Sequence, residues 1–78
     1  MNLEHDHPRI SADPAIMGGK PCIKGTRVPV YLIVMMFSEG ETMADVLSAY
    51  PHLTAEDVRA ALAYAADRTA DSVLPAAE

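Results

Sequence analysis

The spacing of apolar residues predicts three helices in the second half of the chain. Residues 31–37 are consecutively apolar, follow Pro29 and lead to Gly40, a residue that suits the left-handed position after a helix. Two later segments place apolar residues at i, i+3, i+4 and i+7, the spacing of one buried helix face. These positions are Met43, Val46, Leu47 and Tyr50, then Val58, Ala61, Leu62 and Ala65. The pattern predicts helices over about 30–39, 42–50 and 54–68.

Polar residues mark where the second and third helices begin. Thr42 and Thr54 each precede an apolar-periodic segment, and threonine is a good N-cap. Thr54 and Asp57 can exchange bonds as a shortened capping box, while Leu53 and Val58 are placed for a hydrophobic staple. The second and third helices therefore have the outline of a helix-turn-helix.

Residues 9–29 are predicted to be extended and rigid. Residues 18–31 hold three of the four glycines and two of the six prolines, which exclude a regular helix, and β-branched residues lie between them. We expect a short strand at residues 9–11 and an irregular hairpin that pairs residues 15–17 with residues 21–28. The domain should cover residues 9–69, with flexible tails at 1–8 and 70–78.

The first helix has no polar face, and two interpretations follow. A helix that is hydrophobic all round is buried all round, so it is either the central core helix or one that packs partly against another chain. Size is an argument for the second interpretation, because a domain of 78 residues buries little interior although half its residues are hydrophobic, and both interpretations stay open. The candidate oligomer or partner interface consists of Tyr31, Leu32, Met35 and Met36.

The charge is divided unequally along the chain. The net charge is −5, which argues against non-specific nucleic-acid binding, but four of the six Lys and Arg residues lie before residue 31. Candidate contacts to an anion, a DNA backbone or a partner are Arg9, Lys20, Lys24, Arg27 and Arg59. Arg27 also suits bidentate pairing with a carboxylate of the fold or of a partner. The third helix begins with Glu56 and Asp57, which would face phosphates unfavourably.

The sequence shows no pattern typical of catalysis or of metal binding. His5, Asp6 and His7 have no further ligand set nearby, and the glycine-rich segment lacks the P-loop pattern. We therefore predict no enzyme activity and neither a cofactor nor a metal. The single cysteine, Cys22, excludes an internal disulfide and favours the cytoplasm, with the thiol buried. The acidic N-terminus is not a signal peptide, and no segment could cross a bilayer.

The chain resembles a known family over roughly residues 7–67. The motif Gly-Gly-Lys-Pro-Cys-Ile-Lys-Gly-Thr-Arg-Val-Pro-Val at residues 18–30, the apolar helix ending at Gly40 and the Tyr-Pro-His-Leu-Thr turn at residues 50–54 carry the resemblance. It is to domain-of-unknown-function family 433, small prokaryotic proteins similar to VapB-type antitoxins. The resemblance implies a mainly α fold, a homeodomain-like helix-turn-helix after an extended segment. It also implies a PIN-like ribonuclease toxin as partner and autoregulation through operator DNA.

Two functional hypotheses follow. The first is an antitoxin-like binding module that neutralises such a toxin by protein–protein contact and can also form a homodimer. The alternative is a dimeric helix-turn-helix DNA-binding regulator without a toxin partner. An acidic chain suits a basic ribonuclease, because complementary charge speeds encounter.

Overall fold

The computed structural model describes residues 7–70, which form three helices and a small antiparallel sheet. The elements are β1 (Ile10–Ser11), β2 (Cys22–Ile23), α1 (Val30–Ser38), α2 (Met43–Ala49) and α3 (Ala55–Thr69). The predicted fold class, a mainly α three-helix unit after a short extended segment, is confirmed. Most of the predicted tails, together with His5 and Asp6, lies outside the described residues.

The strand pairing differs from the predicted hairpin. β1 pairs with β2 in the register Ile10 to Ile23 and Ser11 to Cys22, so the prediction that residues 15–17 pair with residues 21–28 is wrong. Residues 17–19 form a 3₁₀ turn instead, and all three have positive φ, including Met17 at 51°. A strand needs negative φ, so the backbone at Met17 cannot continue as one.

Residues 21–23 also fold back on residues 28–30. The Ile23 amide donates to the Val28 carbonyl at 2.9 Å, and the Val30 amide donates to the Pro21 carbonyl at 2.9 Å. Gly25 has φ of 81° in the turn between them, a conformation that costs glycine little. Thr26 closes this turn, because its hydroxyl donates to the Ile23 carbonyl at 2.7 Å and accepts from the Val28 amide at 3.0 Å. The segment is therefore the rigid, turn-rich piece that its composition predicts.

Each helix is capped in the predicted manner. After α1, Gly40 has φ of 92° and donates to Phe37 at 3.0 Å, while the Glu41 amide donates to Met36 at 3.1 Å, which is a Schellman motif. α2 and α3 both begin with complete capping boxes. At α3, the Asp57 amide donates to Thr54 Oγ1 at 3.1 Å, and the Thr54 amide donates to Asp57 Oδ2 at 3.0 Å.

The core lies mainly between α1 and α3, and α3 also packs against α2 and both strands. Among residues 7–70 no polar or charged side chain is buried, so the core holds together by apolar packing. Leu53 and Val58, the predicted staple pair, are both buried. The core cluster contains Ile23, Val28, Val30, Ile33, Val46, Leu53, Val58 and Ala61.

Replacing the N-cap of α3 should destabilise the protein measurably. Thr54→Ala removes the acceptor for the Asp57 amide, and loss of a threonine cap costs about 1 kcal/mol. Urea unfolding followed by circular dichroism measures the change. Ser48→Ala, at an exposed position inside α2, is the control and should change the free energy of unfolding by less than about 0.5 kcal/mol. Equal midpoints for Thr54→Ala and wild type would show that the cap contributes nothing.

The capping carboxylate should make stability depend on acid pH. The hydrogen bond from the Thr54 amide, helped by Arg9 and opposed by burial, holds the pKa of Asp57 below its ordinary value of 3.8. Because the folded-state pKa is lowered, the stabilisation is present above about pH 4 and is lost as the pH falls through the folded-state pKa. Asp57→Asn should therefore flatten the fall in free energy of unfolding between about pH 5 and pH 2.

The same acid titration distinguishes the effect of the Asp57 carboxylate from the effect of changing the net charge by one. Glu39→Gln removes an equal charge from an exposed position outside both capping boxes. Urea unfolding at each pH gives the slopes. Identical slopes for wild type and Asp57→Asn would contradict a stabilising role for the ionised Asp57 carboxylate.

Candidate protein-binding site

One edge of α1 remains uncovered although the helix is central to the core. Val30 and Ile33 are buried, whereas Tyr31 is 49% exposed and Met35 is 44% exposed. Tyr31 and Met35 lie one helical turn apart, so they form one apolar ridge. One side of α1 thus fills the core and another faces outward, so packing of the outer side against another chain stays a prediction.

The four predicted interface residues divide between these sides. Tyr31 and Met35 are exposed, Leu32 is half-buried, and Met36 is half-buried and packs against the core. Met36 contributes to intramolecular packing, which leaves Tyr31 and Met35 as the residues most available to another chain.

A groove runs beside this ridge, between α1 and the last turns of α3. We call it the α1–α3 groove; its volume is about 470 Å³. Most of its lining is apolar, and two cationic side chains border it. The lining residues are Lys20, Pro21, Val30, Tyr31, Val34, Tyr64, Ala65, Arg68 and Thr69.

The α3 wall of the groove is held by contacts from the N-terminal segment. The His7 ring meets the Tyr64 ring edge-on, with centroids 5.2 Å apart, and His7 Nε2 lies 2.7 Å from Asp67 Oδ2. The Arg68 guanidinium lies over the Tyr64 ring, 5.8 Å from its centroid, in a cation–π arrangement. Two side chains therefore contact the Tyr64 ring, which restricts its position in the wall.

The opposite wall is fixed by the backbone of the glycine-rich segment. The Pro21 carbonyl accepts from the first amide of α1, and the Lys20 carbonyl accepts from the Cys22 thiol at 3.4 Å. Cys22 is itself buried, as predicted. Lys20 is therefore presented at the groove by a rigid backbone rather than by a free loop.

Arg9 is engaged within the fold. Its two terminal nitrogens donate to Glu56 Oε1 and Asp57 Oδ1, both at 2.8 Å. The first turn of α3 thus presents two carboxylates and a bound arginine where a DNA-reading helix would offer donors to base edges.

The other four predicted cations lie in three different parts of the surface. Lys20 borders the α1–α3 groove, whereas Lys24 and Arg27 flank Gly25 in the exposed turn and Arg59 is exposed on α3. Within residues 7–70, no carboxylate lies within ion-pair distance of any of the four. Their charges are available to an external anion.

Sequence reasoning missed His7, Tyr64 and Arg68 as site residues. Tyr64 and Arg68 are four residues apart in a predicted helix, and this spacing alone places them side by side. No sequence signal joins His7 to Asp67. The sequence places His7 in a tail, whereas in the structure it is half-buried against α3.

The described part of the chain contains neither a metal-ligand cluster nor a helix able to cross a membrane. Residues 7–70 contain no group of three His, Cys, Asp or Glu side chains placed to hold a metal ion. Over the same span, no helix combines the length and the apolar character that crossing a membrane requires.

Comparison with known proteins places the chain in a family. Residues 10–65 match the family described as "Protein of unknown function (DUF433)". Uncharacterized protein y4eO of Sinorhizobium fredii (strain NBRC 101917 / NGR234) is 41% identical over 56 residues, which cover 72% of this chain and 25% of that protein. The chain thus spans about a quarter of the length of this curated relative.

A solved structure has the same fold. The crystal structure of a DUF433 member protein from Anabaena variabilis ATCC 29413, at 2.00 Å resolution, aligns with a TM-score of 0.73 and 34% identity. The alignment covers 82% of this chain and 62% of that chain. The family match extends from β1 through most of α3 and includes both the glycine-rich segment and the helix-turn-helix, so this chain belongs to the DUF433 family.

Proposed function

We propose that this protein is an antitoxin-like binding module that acts in the cytoplasm and neutralises a PIN-like ribonuclease toxin by protein–protein contact. The observation that carries the proposal is the apolar ridge of Tyr31 and Met35 beside the α1–α3 groove. Tyrosine, methionine and arginine are enriched in the centres of protein interfaces, and this surface combines all three.

The overall charge of the chain supports a protein partner more than a DNA duplex. The chain carries a net charge of −5, and α3 begins with Glu56 and Asp57. An acidic protein attracts a basic ribonuclease and repels a phosphate backbone. The autoregulatory part of the proposal is binding to operator DNA. We assign this binding to Lys24 and Arg27, which lie in the exposed turn.

Charge placed on the ridge should disrupt the toxin complex without unfolding the protein. A pull-down with the full chain in its host should recover a small ribonuclease in stoichiometric amount, and the bound enzyme should not cleave RNA. Tyr31→Glu and Met35→Glu should each weaken this complex about thirtyfold, since a buried interface anchor contributes about 2 kcal/mol.

A matched substitution controls for the added charge. Ala44→Glu introduces the same charge at an exposed position on α2 and should leave binding unchanged. Circular dichroism establishes that all three variants are folded. The proposal fails if no ribonuclease is recovered, or if Ala44→Glu weakens the complex as much as the ridge variants do.

The second candidate is a dimeric helix-turn-helix regulator without a toxin, and the exposed cations of the turn favour it. A gel shift with the DNA upstream of its own gene should be salt-dependent, and the double variant Lys24→Ala/Arg27→Ala should reduce the salt slope by about two phosphate contacts. Arg59→Ala weakens specific binding only if α3 reads bases, so an unchanged shift removes α3 from that role. Light scattering gives the oligomeric state; a monomer at micromolar concentration contradicts the dimer.

A further inference from the structure

We propose that the α1–α3 groove binds a short apolar segment of a partner protein in which carboxylates flank the apolar residues. The inference rests on the proposed function insofar as the partner is a protein, and it specifies the chemistry of the segment that is recognised. The groove and the ridge share Tyr31; the inference concerns the cations Lys20 and Arg68 at the groove, whereas the proposed function rests on the exposure of Tyr31 and Met35.

The groove has the dimensions and lining of a binding site for apolar side chains. A volume of about 470 Å³ lies within the range of small-ligand pockets, which is about 300–1,000 Å³. Val30, Val34 and Ala65 contribute aliphatic surface, and two tyrosines supply larger rings. Binding at such a surface is favoured when the ligand removes apolar groups from water. A nucleic-acid backbone offers no comparable apolar groups, whereas a protein segment does.

Charge defines what must flank the apolar residues of the ligand. Lys20 and Arg68 both line the groove, and no acidic residue of the described chain lines it. This is a local reversal of sign in a protein of net charge −5. A segment with carboxylates is therefore attracted, and one with flanking lysines is repelled.

Two exposed cations at the groove are available to an anion. Arg68 is held over Tyr64 and can present its planar guanidinium to a carboxylate, while Lys20 extends from the anchored Lys20-Pro21 backbone. The Thr69 hydroxyl is already used, because it donates to the Ala65 and Ala66 carbonyls at 2.9 and 3.1 Å. Lys20 and Arg68 are therefore the groups that select for an anion at the groove.

Selection from a library of short random peptides, displayed on phage, tests this specificity on the full chain. We expect enrichment of peptides with aliphatic or aromatic residues between Asp or Glu residues. Fluorescence anisotropy with the recovered peptides, labelled and synthesised, then measures affinity. Lys20→Gln and Arg68→Gln should each weaken binding about tenfold, and raised salt should weaken it further.

Matched variants outside the groove make the result specific. Lys24→Gln and Arg59→Gln remove the same charges elsewhere and should leave peptide affinity unchanged. Failure to enrich any peptide, enrichment of basic flanks, or equal losses in all four variants would overturn the proposal.

Two further outcomes identify other occupants and would also overturn it. If Arg68→Gln dissociates a dimer in light scattering, a second copy fills the groove. If Arg68→Gln shifts the amide resonances of residues 71–78 without peptide, the chain's own segment fills it.

The two proposals remain separable: acid-flanked peptides that bind when no ribonuclease is recovered support this inference alone. A ribonuclease complex insensitive to Lys20→Gln and Arg68→Gln supports the proposed function alone.

Discussion

The antiparallel pairing of residues 21–23 with residues 28–30 determines where everything else lies. The bond from the Val30 amide to the Pro21 carbonyl attaches the first turn of α1 to the sheet, and the bond from Ile23 to Val28 sets the register. Gly25 and Thr26 make the reversal possible within a few residues. Because α1 starts from this fixed point, its buried side meets α3 while Tyr31 and Met35 face outward.

Among the described residues, several acids stabilise the fold, whereas the Lys and Arg residues are exposed. Asp45 and Asp57 complete the capping boxes, and Glu56 and Asp57 hold Arg9. Both aspartates have lowered pKa values because backbone amides donate to them, so they remain ionised under ordinary conditions. The carboxylates at the start of α3 therefore have partners within the fold: Asp57 accepts from the Thr54 amide, and both Glu56 and Asp57 accept from Arg9. These contacts stabilise the acidic first turn of the helix.

Local patterns were sufficient to predict the helices, whereas the sheet required tertiary information. The apolar periodicity, Thr42, Thr54 and Gly40 define α1 to α3 to within one or two residues, because caps and helix faces are local properties. The partner of β2 was mispredicted because Met17 adopts positive φ, which a non-glycine residue rarely does. At the candidate site, the exposed Tyr31 and Met35 were predicted from an apolar run too long for the interior. The α3 wall was not predicted, since the contacts of His7 join residues 60 positions apart.

The contacts of the N-terminal segment bear on how α3 can open. Arg9 binds the first turn of α3 and His7 binds Asp67 near its last, so positions about 15 Å apart along the axis are fastened by residues two apart in sequence. Helix ends ordinarily fray independently of each other. Because His7 and Arg9 contact the two ends of α3, unfolding at one end is coupled to unfolding at the other. We therefore expect α3 to exchange its amide hydrogens as one cooperative unit. The groove wall built on Tyr64 then persists or disappears together with the whole helix, rather than loosening by degrees.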